Sequence, residues 1–389
     1  MTRLIEFLIA LALVLALFLV IGLVLPSKRQ LQESAETNRR MTIVFDTLNN
    51  VRRMKDWNPL LPSNPNELSY SGGGEGHEGV GARVDYNSQG AFGKGSWEIV
   101  ESERPAPNGG SGKIAYAITD QKFGDNKKTV FTLQPTGKNN RNVKVTQSYE
   151  VSYGWNLVGR YAGMYVSRHV GDAVKAGLSK LTNMLATVPN FDYRVENNPL
   201  VDLKIVDVPA EDLLIVQAGN IDRSNAAIAA SIKSNQEWIK RVMEANGLEA
   251  AGPVRIITTD YGSEKYAFDV AQPVRKSGSA PKNAEGATPP VAPPADTAAV
   301  PADGLKVTIP SGAPVKYERT KPHRSAFASY TGFLGELDAA RNGLRAWAVT
   351  HGYEVVDRPY ESWKSGVDVS TSTSTTGEKG AFDVYWAVK

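Results

Sequence analysis

The sequence predicts an α+β protein made of two folded parts behind a single apolar helix. Three observations lead there: an unbroken apolar run near the N-terminus, a strands-first, helix-last order over residues 39–187, and a strand, helix, strand, strand unit that occurs twice within residues 200–389. A chain of 389 residues is longer than one ordinary domain, and length alone suggests about two or three. The 44 Lys and Arg face 41 Asp and Glu, a formal charge of only +3. That balance leaves no basic field for nucleic acid, which is not expected as a partner. With no cysteine, disulfides, thiolate nucleophiles, iron–sulfur clusters and Cys-ligated zinc are excluded.

Residues 4–25 are read as a transmembrane helix. From Phe7 to Leu25 every residue is apolar, and this run at about 1.5 Å per residue spans roughly 28 Å, close to the hydrocarbon thickness of a bilayer. The competing reading is a cleaved signal peptide. Against it, the run exceeds an ordinary signal core, and no small-x-small site precedes Pro26, Ser27, Lys28 and Arg29. Arg3 stands on one side of the span and Lys28, Arg29, Arg39 and Arg40 on the other. The positive-inside rule then expects a single-pass protein of the inner (cytoplasmic) membrane with a cytoplasmic body. The lack of cysteine suits an oxidising compartment slightly better, so a periplasmic body stays open.

Over residues 39–187, Ile43, Val44 and Phe45 open a strand running into a short helix. Strand-like runs follow at 81–86, 95–101, 112–119, 128–134 and 142–151. The stretch from 156 to 186 then reads as one long helix, with Val174, Leu178, Leu181 and Leu185 on one face. Strands first and one helix last describe a curved antiparallel sheet around a helix. Gly159, Gly163, Ser167 and Gly171 recur every fourth residue, a stripe that favours close packing on the sheet over room for a guest.

A softer boundary falls at 187–194, before the repeated part. Residues 267–274 read AFDVAQPV and 381–388 read AFDVYWAV. Before each lies a helix stopped by a glycine, Gly247 in one copy and Gly352 in the other, with Pro253 answering Pro359 and Gly219 answering Gly332. Helical spacing is carried by Trp238, Val242 and Ala245 in the first copy and by Ala340, Leu344, Trp347 and Ala348 in the second. The copies span 203–274 and 305–389, and a Ser/Thr-rich hairpin tip over 370–377 lengthens the second. Between them, residues 275–304 hold six Pro and eight Ala and no aromatic. Such a segment cannot bury enough surface to repay its ordering entropy and reads as a disordered linker.

The first part resembles the START-like superfamily, also called SRPBCC or polyketide cyclase-like. The resemblance is carried by Val44-Phe45-Asp46-Thr47-Leu48 with Trp57-Asn58-Pro59, by Val80-Gly81-Ala82, by Phe92-Gly93-Lys94-Gly95-Ser96-Trp97-Glu98-Ile99 and by the closing helix. It implies a helix-grip fold with an apolar cavity between sheet and last helix, used by most members for binding and by a minority for catalysis. Trp57, Trp97, Tyr116, Tyr149 and Trp155 are then the aromatic candidates around that cavity. The duplicated part looks like a GyrI-like domain, the effector-binding module of AraC-type regulators. That likeness rests on the repeated unit, on His323 with Ala328-Ser329-Tyr330-Thr331-Gly332, and on Pro359-Tyr360-Glu361-Ser362-Trp363. It implies that Glu361 is the acid of a pocket between the copies, with Trp363 and Tyr330 as walls. The long linker departs from the family pattern. No helix-turn-helix precedes the module, so a role in transcription does not carry over.

A buried carboxylate among aromatics would attract a cation or a donor-rich ring; a solvated surface Glu is the plainer alternative for Glu361. The first copy offers Val254 or Arg255 in its place, which predicts one asymmetric site. The string 74–79 satisfies GxGxxG, yet a strand rather than a helix follows it, so a hairpin loop is expected instead of a nucleotide site. His77, His169, His323 and His351 show no ligand pair, and no metal or cofactor is expected. Together these readings point to a membrane-anchored protein that binds a hydrophobic, amphipathic or aromatic small molecule. An enzyme of cyclase or hydrolase type using Glu361 as general acid or base, and a scaffold with collapsed pockets, are the alternatives.

Overall fold

The computed structural model describes residues 2–74, 76–90, 92–106, 110–195, 198–262, 264–279, 304–332, 336–365 and 380–389. Most of the expected linker and the hairpin tip at 370–377 lie outside them. The described chain is α+β with two antiparallel sheets and forms two units, Met1–Asp192 with Thr350–Gly352, and Tyr193–Val349 with Tyr353–Lys389.

The first unit opens with α1 (Thr2–Val24), exposed from Arg3 to Val24 except at Gly22. Its length and apolarity suffice to cross a membrane. A strand that hydrophobic periodicity does not announce follows directly: β1 (Lys28–Thr37) is polar almost throughout and pairs at the sheet edge with β7 (Asn142–Ser152). Next come α2 (Met41–Leu48), α3 (Met54–Trp57) and the strands β2 (Leu68–Ser71), β3 (Arg83–Asn87), β4 (Lys94–Glu103), β5 (Gly112–Asp120) and β6 (Asp125–Thr136). The sheet order is β1-β7-β6-β5-β4-β3-β2. Ile43 to Leu48, expected to begin as strand, are helical in α2 and wholly buried. The glycine-rich loop at 72–82 joins the paired strands β2 and β3.

The helical stretch after β7 runs on to Ala186 but changes its hydrogen-bonding pattern on the way. It comprises α4 (Leu157–Ala162), a 3₁₀ turn (Gly163–Tyr165), a π turn (Ser167–Gly171) and α5 (Asp172–Ala186). Gly159 and Gly163 make room for Tyr153, whose ring lies so close that a Cβ on Gly163 would meet it at 2.6 Å and one on Gly159 at 3.0 Å. Val174, Leu178, Leu181 and Leu185 of α5 are all buried. The last turn of α5 is closed by Arg39, which donates from Nε to Leu185 O at 2.9 Å and from Nη2 to Ala186 O at 2.6 Å, a placement that also favours the helix dipole.

The second unit contains β8 (Leu200–Val208), β9 (Asp212–Asp222), α6 (Asn225–Ala245), β10 (Leu248–Ala250), β11 (Arg255–Tyr261), β12 (Lys265–Lys276), β13 (Val315–Arg319), β14 (His323–Gly332), α7 (Leu337–Thr350), β15 (Tyr360–Ser365) and β16 (Gly380–Val388). The sheet order β13-β9-β12-β11-β15-β16-β14-β8 reads alike from either end once the two copies are equated. The leading strands change places: β8 pairs with β14 of the second copy, and β13 pairs with β9 of the first. The copies therefore share one sheet, with β11 against β15 at its centre.

The register corrects two sequence matches. Val270 faces Ile256 and Val384 faces Glu361, so the counterpart of Glu361 is Ile256 rather than Val254 or Arg255. Phe268 faces Gly219 and Phe382 faces Tyr330, so Gly219 answers Tyr330 and not Gly332. A register shift between Phe268 and Asp269 displaces the linear alignment.

The glycine stripe yields a graded expectation. Gly163→Ala drives a methyl into the Tyr153 ring and should cost about 1–3 kcal/mol in urea unfolding. Gly171 has helical torsions (φ −63°, ψ −44°), and its Cβ would meet only Leu31, at 4.0 Å; Gly171→Ala should be neutral or stabilising by about 0.5–1 kcal/mol.

Candidate functional site

Between the strands of the first unit and this helical stretch lies a cavity of about 170 Å³. Its floor is strand residues: Tyr86 on β3, Trp97 on β4, Ile118 and Asp120 on β5, and Tyr149 on β7, with Tyr153 just beyond β7. Ala162, Tyr165, Val166, His169 and Val170 of the helical stretch form the other wall, and the β5–β6 turn adds Lys122 and Phe123. Glycine shapes both ends. A Cβ on Gly95 would sit 2.3 Å from Tyr86 Oη, so the bare backbone lets that ring lie across β4, and Gly124 at φ +98° turns the chain under Tyr153.

One buried ion pair marks the polar end. Lys127, 5% exposed, bonds Asp120 through Nζ and also donates to Lys122 O at 2.8 Å. With its charges paired and hydrogen-bonded, this end can be dry without a lone buried charge. Burial, then the Asp120 charge, pushes the Tyr86 phenol up to about 12 and raises that of Tyr149 as well. Both phenols are neutral at ordinary pH and can donate a hydrogen bond.

Trp97 and Tyr149 thus stand at this cavity. Trp57 lies elsewhere, edge-on to Phe131 at 5.6 Å and 1% exposed, and is not among the cavity-lining residues. Tyr116 is wholly buried with its hydroxyl on Leu48 O, and Trp155 is 83% exposed.

In the second unit Glu361 is completely buried on β15. Its neighbour two residues on, Trp363, shares its face of the strand and meets Phe382 edge-on at 5.7 Å; Tyr330 meets the same ring at 6.0 Å. Phe382 therefore joins the two expected walls. The partner that sequence reasoning missed is Arg341 of α7. It donates from Nε to Glu361 Oε1 at 2.5 Å, from Nη2 to Oε2 at 3.1 Å and from Nη2 to Tyr266 Oη at 3.1 Å. The signal was present: Leu337, Ala340, Arg341, Leu344 and Ala348 form the buried stripe of α7, and a charge in such a stripe requires a partner.

Burial opposes the charge of Arg341, but the carboxylate of Glu361 outweighs it and carries the guanidinium above its ordinary value. The Tyr266 phenol is pushed up to about 12 by burial and then by Glu361, and it shares a hydrogen bond with Thr258 Oγ1 at 2.9 Å. The guanidinium also lies 5.3 Å from the Tyr261 ring centre and 5.6 Å from that of Tyr266. Nη1 of Arg341 and Nε1 of Trp363 are buried without a hydrogen-bond partner among the described residues.

No family model matches the chain, and no curated protein matches it. Among solved structures it is similar to the EcmrR C-terminal domain, at 12% identity and a TM-score of 0.32 over 48% of this chain and 97% of that one. It is also similar to norcoclaurine synthase from Thalictrum flavum solved with dopamine and hydroxybenzaldehyde, at 15% identity and a TM-score of 0.30 over 42% and 91%. A third is a Thermobifida fusca protein solved by NMR, at 16% identity and a TM-score of 0.31 over 40% and 93%.

The ion pair of the second unit makes its own prediction. Arg341→Met strands a buried carboxylate and should destabilise by about 3–5 kcal/mol, whereas Arg341→Met with Glu361→Leu should recover most of that loss or exceed the parent stability. Chemical denaturation of the three proteins checks it.

Proposed function

We propose that the protein is a single-pass membrane protein whose first unit binds a small, largely apolar molecule in the cavity beneath residues 162–170. The observation that carries this reading is the aromatic-lined, partly open cavity of about 170 Å³ with one paired charge at its end. Apolar cavities of roughly 150 Å³ stay dry and accept a benzene-sized guest, whereas drug-sized sites start near 300 Å³. The ligand class is therefore one aromatic ring or a short hydrocarbon carrying one polar group, for which the Tyr86 and Tyr149 hydroxyls and the Asp120–Lys127 pair are the polar contacts. A diacyl lipid is too large for this volume.

Retention of α1 as an anchor is supported by Arg160, which is 8% exposed. Its guanidinium donates to Gly22 O at 3.2 Å, Leu23 O at 3.0 Å and Leu25 O at 3.3 Å, and to Gly154 O at 2.7 Å. Cleavage after the span would remove three of those acceptors from a buried cation, a costly loss. In this reading α1 crosses the inner membrane with the body on the side of Lys28 and Arg29, the cytoplasm by the charge rule. Glu361 with Trp363 and Tyr330 is the second, polar-aromatic candidate of this reading, its carboxylate already held by Arg341.

The test is ligand-induced stabilisation of the full chain in detergent across a set of substituted benzenes and short alcohols. A true ligand at a hundred times its Kd should add about 2.7 kcal/mol. Ala162→Phe, which fills the cavity from its helical wall, should weaken that ligand at least about tenfold, near 1.4 kcal/mol. Failure of every compound to stabilise the parent, or equal binding by the filled variant, would refute the assignment.

A further inference from the structure

The contacts of α4 with α1 fix more than an anchor. Tyr161 stacks on Phe18 at 4.4 Å between ring centres and 9° between planes, and its hydroxyl donates to Phe18 O at 2.8 Å. Leu157 packs where α1 has its one buried position, Gly22; a Cβ there would lie 3.2 Å from Leu157 Cβ. So α4 runs beside residues 18–24 of the apolar helix. Seven residues of helix are about 10 Å. If α1 spans the bilayer, as proposed above, α4 cannot stay in bulk water, because the stretch it covers belongs to the span.

The free surface of α4 and the turn after it suits that position. Val158 is 54% exposed, Met164 53%, Tyr165 59% and the preceding Trp155 83%. Phe123, in the β5–β6 turn, is 56% exposed. Large apolar side chains this exposed and this close together need a nonaqueous neighbour. Trp and Tyr among them are the residues that settle at the headgroup level. Exposed Lys122 and Arg168 adjoin this apolar set in sequence and supply charge for anionic headgroups. The occupant of this face is thus the bilayer surface.

Two residues belong to both descriptions. Phe123 and Tyr165 line the cavity and are also more than half exposed, so they form its rim. We infer that segment 155–165 and the tip at Phe123 are immersed in the membrane interface, so that the cavity of the first unit opens toward lipid and draws its ligand from the bilayer. The inference rests on the anchor and cavity readings and deepens them by naming the source of the ligand.

The absence of cysteine makes the test direct. Single cysteines are introduced in the full chain as Val158→Cys, Met164→Cys and Phe123→Cys, with Leu17→Cys inside α1 and Lys138→Cys in the distant β6–β7 turn as references. Each is spin-labelled and reconstituted in vesicles of phosphatidylcholine and phosphatidylglycerol. Collisions with oxygen, which concentrates in lipid, are compared with collisions with a water-soluble nickel chelate. The expected oxygen-to-nickel ratio at 158, 164 and 123 is about tenfold above that at 138 and approaches that at 17, as the exclusion of water from hydrocarbon requires. Labels at 158 and 164 that match 138 while 17 reports lipid would overturn the immersion and leave the anchor standing. A water-exposed label at 17 would overturn the anchor and the immersion together. Ligand binding by the same variants in detergent reports on the cavity separately.

Discussion

One guanidinium, that of Arg160, closes the carbonyl end of α1 and ties it to Gly154 in the turn before α4. The end of a helix leaves carbonyls without partners, and here a buried cation inside the first unit satisfies them. The consequence is mechanical. The apolar helix is not a tether on a loose stalk, because β1 begins at Lys28 and enters the sheet at once. Position and orientation of the sheet against α1 follow from that grip, from the Tyr161–Phe18 stack and from the fit of Leu157 against Gly22.

The cavity inherits its shape from the same stretch of chain. Glycines at 159 and 163 admit the Tyr153 ring, and the helix gives way to tighter and wider turns over 163–171. Those turns carry Tyr165, Val166, His169 and Val170 to the cavity wall. Of the small-residue stripe, Gly159 and Gly163 pack closely on Tyr153, and the cavity lies beside them. In the second unit the constraint is different. Two copies of one unit build a single sheet by exchanging their leading strands, and the near-symmetry is broken where Ile256 on β11 faces Glu361 on β15. That break places one carboxylate in the core, and Arg341 is the charge that makes it tolerable.

Much of this was legible in the chain because it rests on periodicity and repetition. The five strands expected at 81–151 and the buried face Val174, Leu178, Leu181 and Leu185 all appear. The repeat gave the composition of the second sheet but not its exchanged order, since pairing between distant strands leaves no local signature. Strand β1 escaped notice because an edge strand with few apolar residues shows no alternation worth reading. In α2, Ile43, Val44 and Phe45 favour strands in isolation, and burial on all sides overrides that preference. The Arg341 partner of Glu361 was readable as a charge within an apolar stripe. The Arg160 grip was not, for nothing in sequence links Arg160 to carbonyls more than a hundred residues earlier.

The central claim is that the first unit holds a small apolar molecule and remains attached to its membrane helix. Native mass spectrometry of the full chain, released from its own membrane into mild detergent, addresses both halves at once. The account predicts a chain that keeps residues 1–25 and carries the added mass of one small molecule, shed on collisional activation. A chain shortened by the apolar segment, or a full-length chain with only its bare mass, would contradict it.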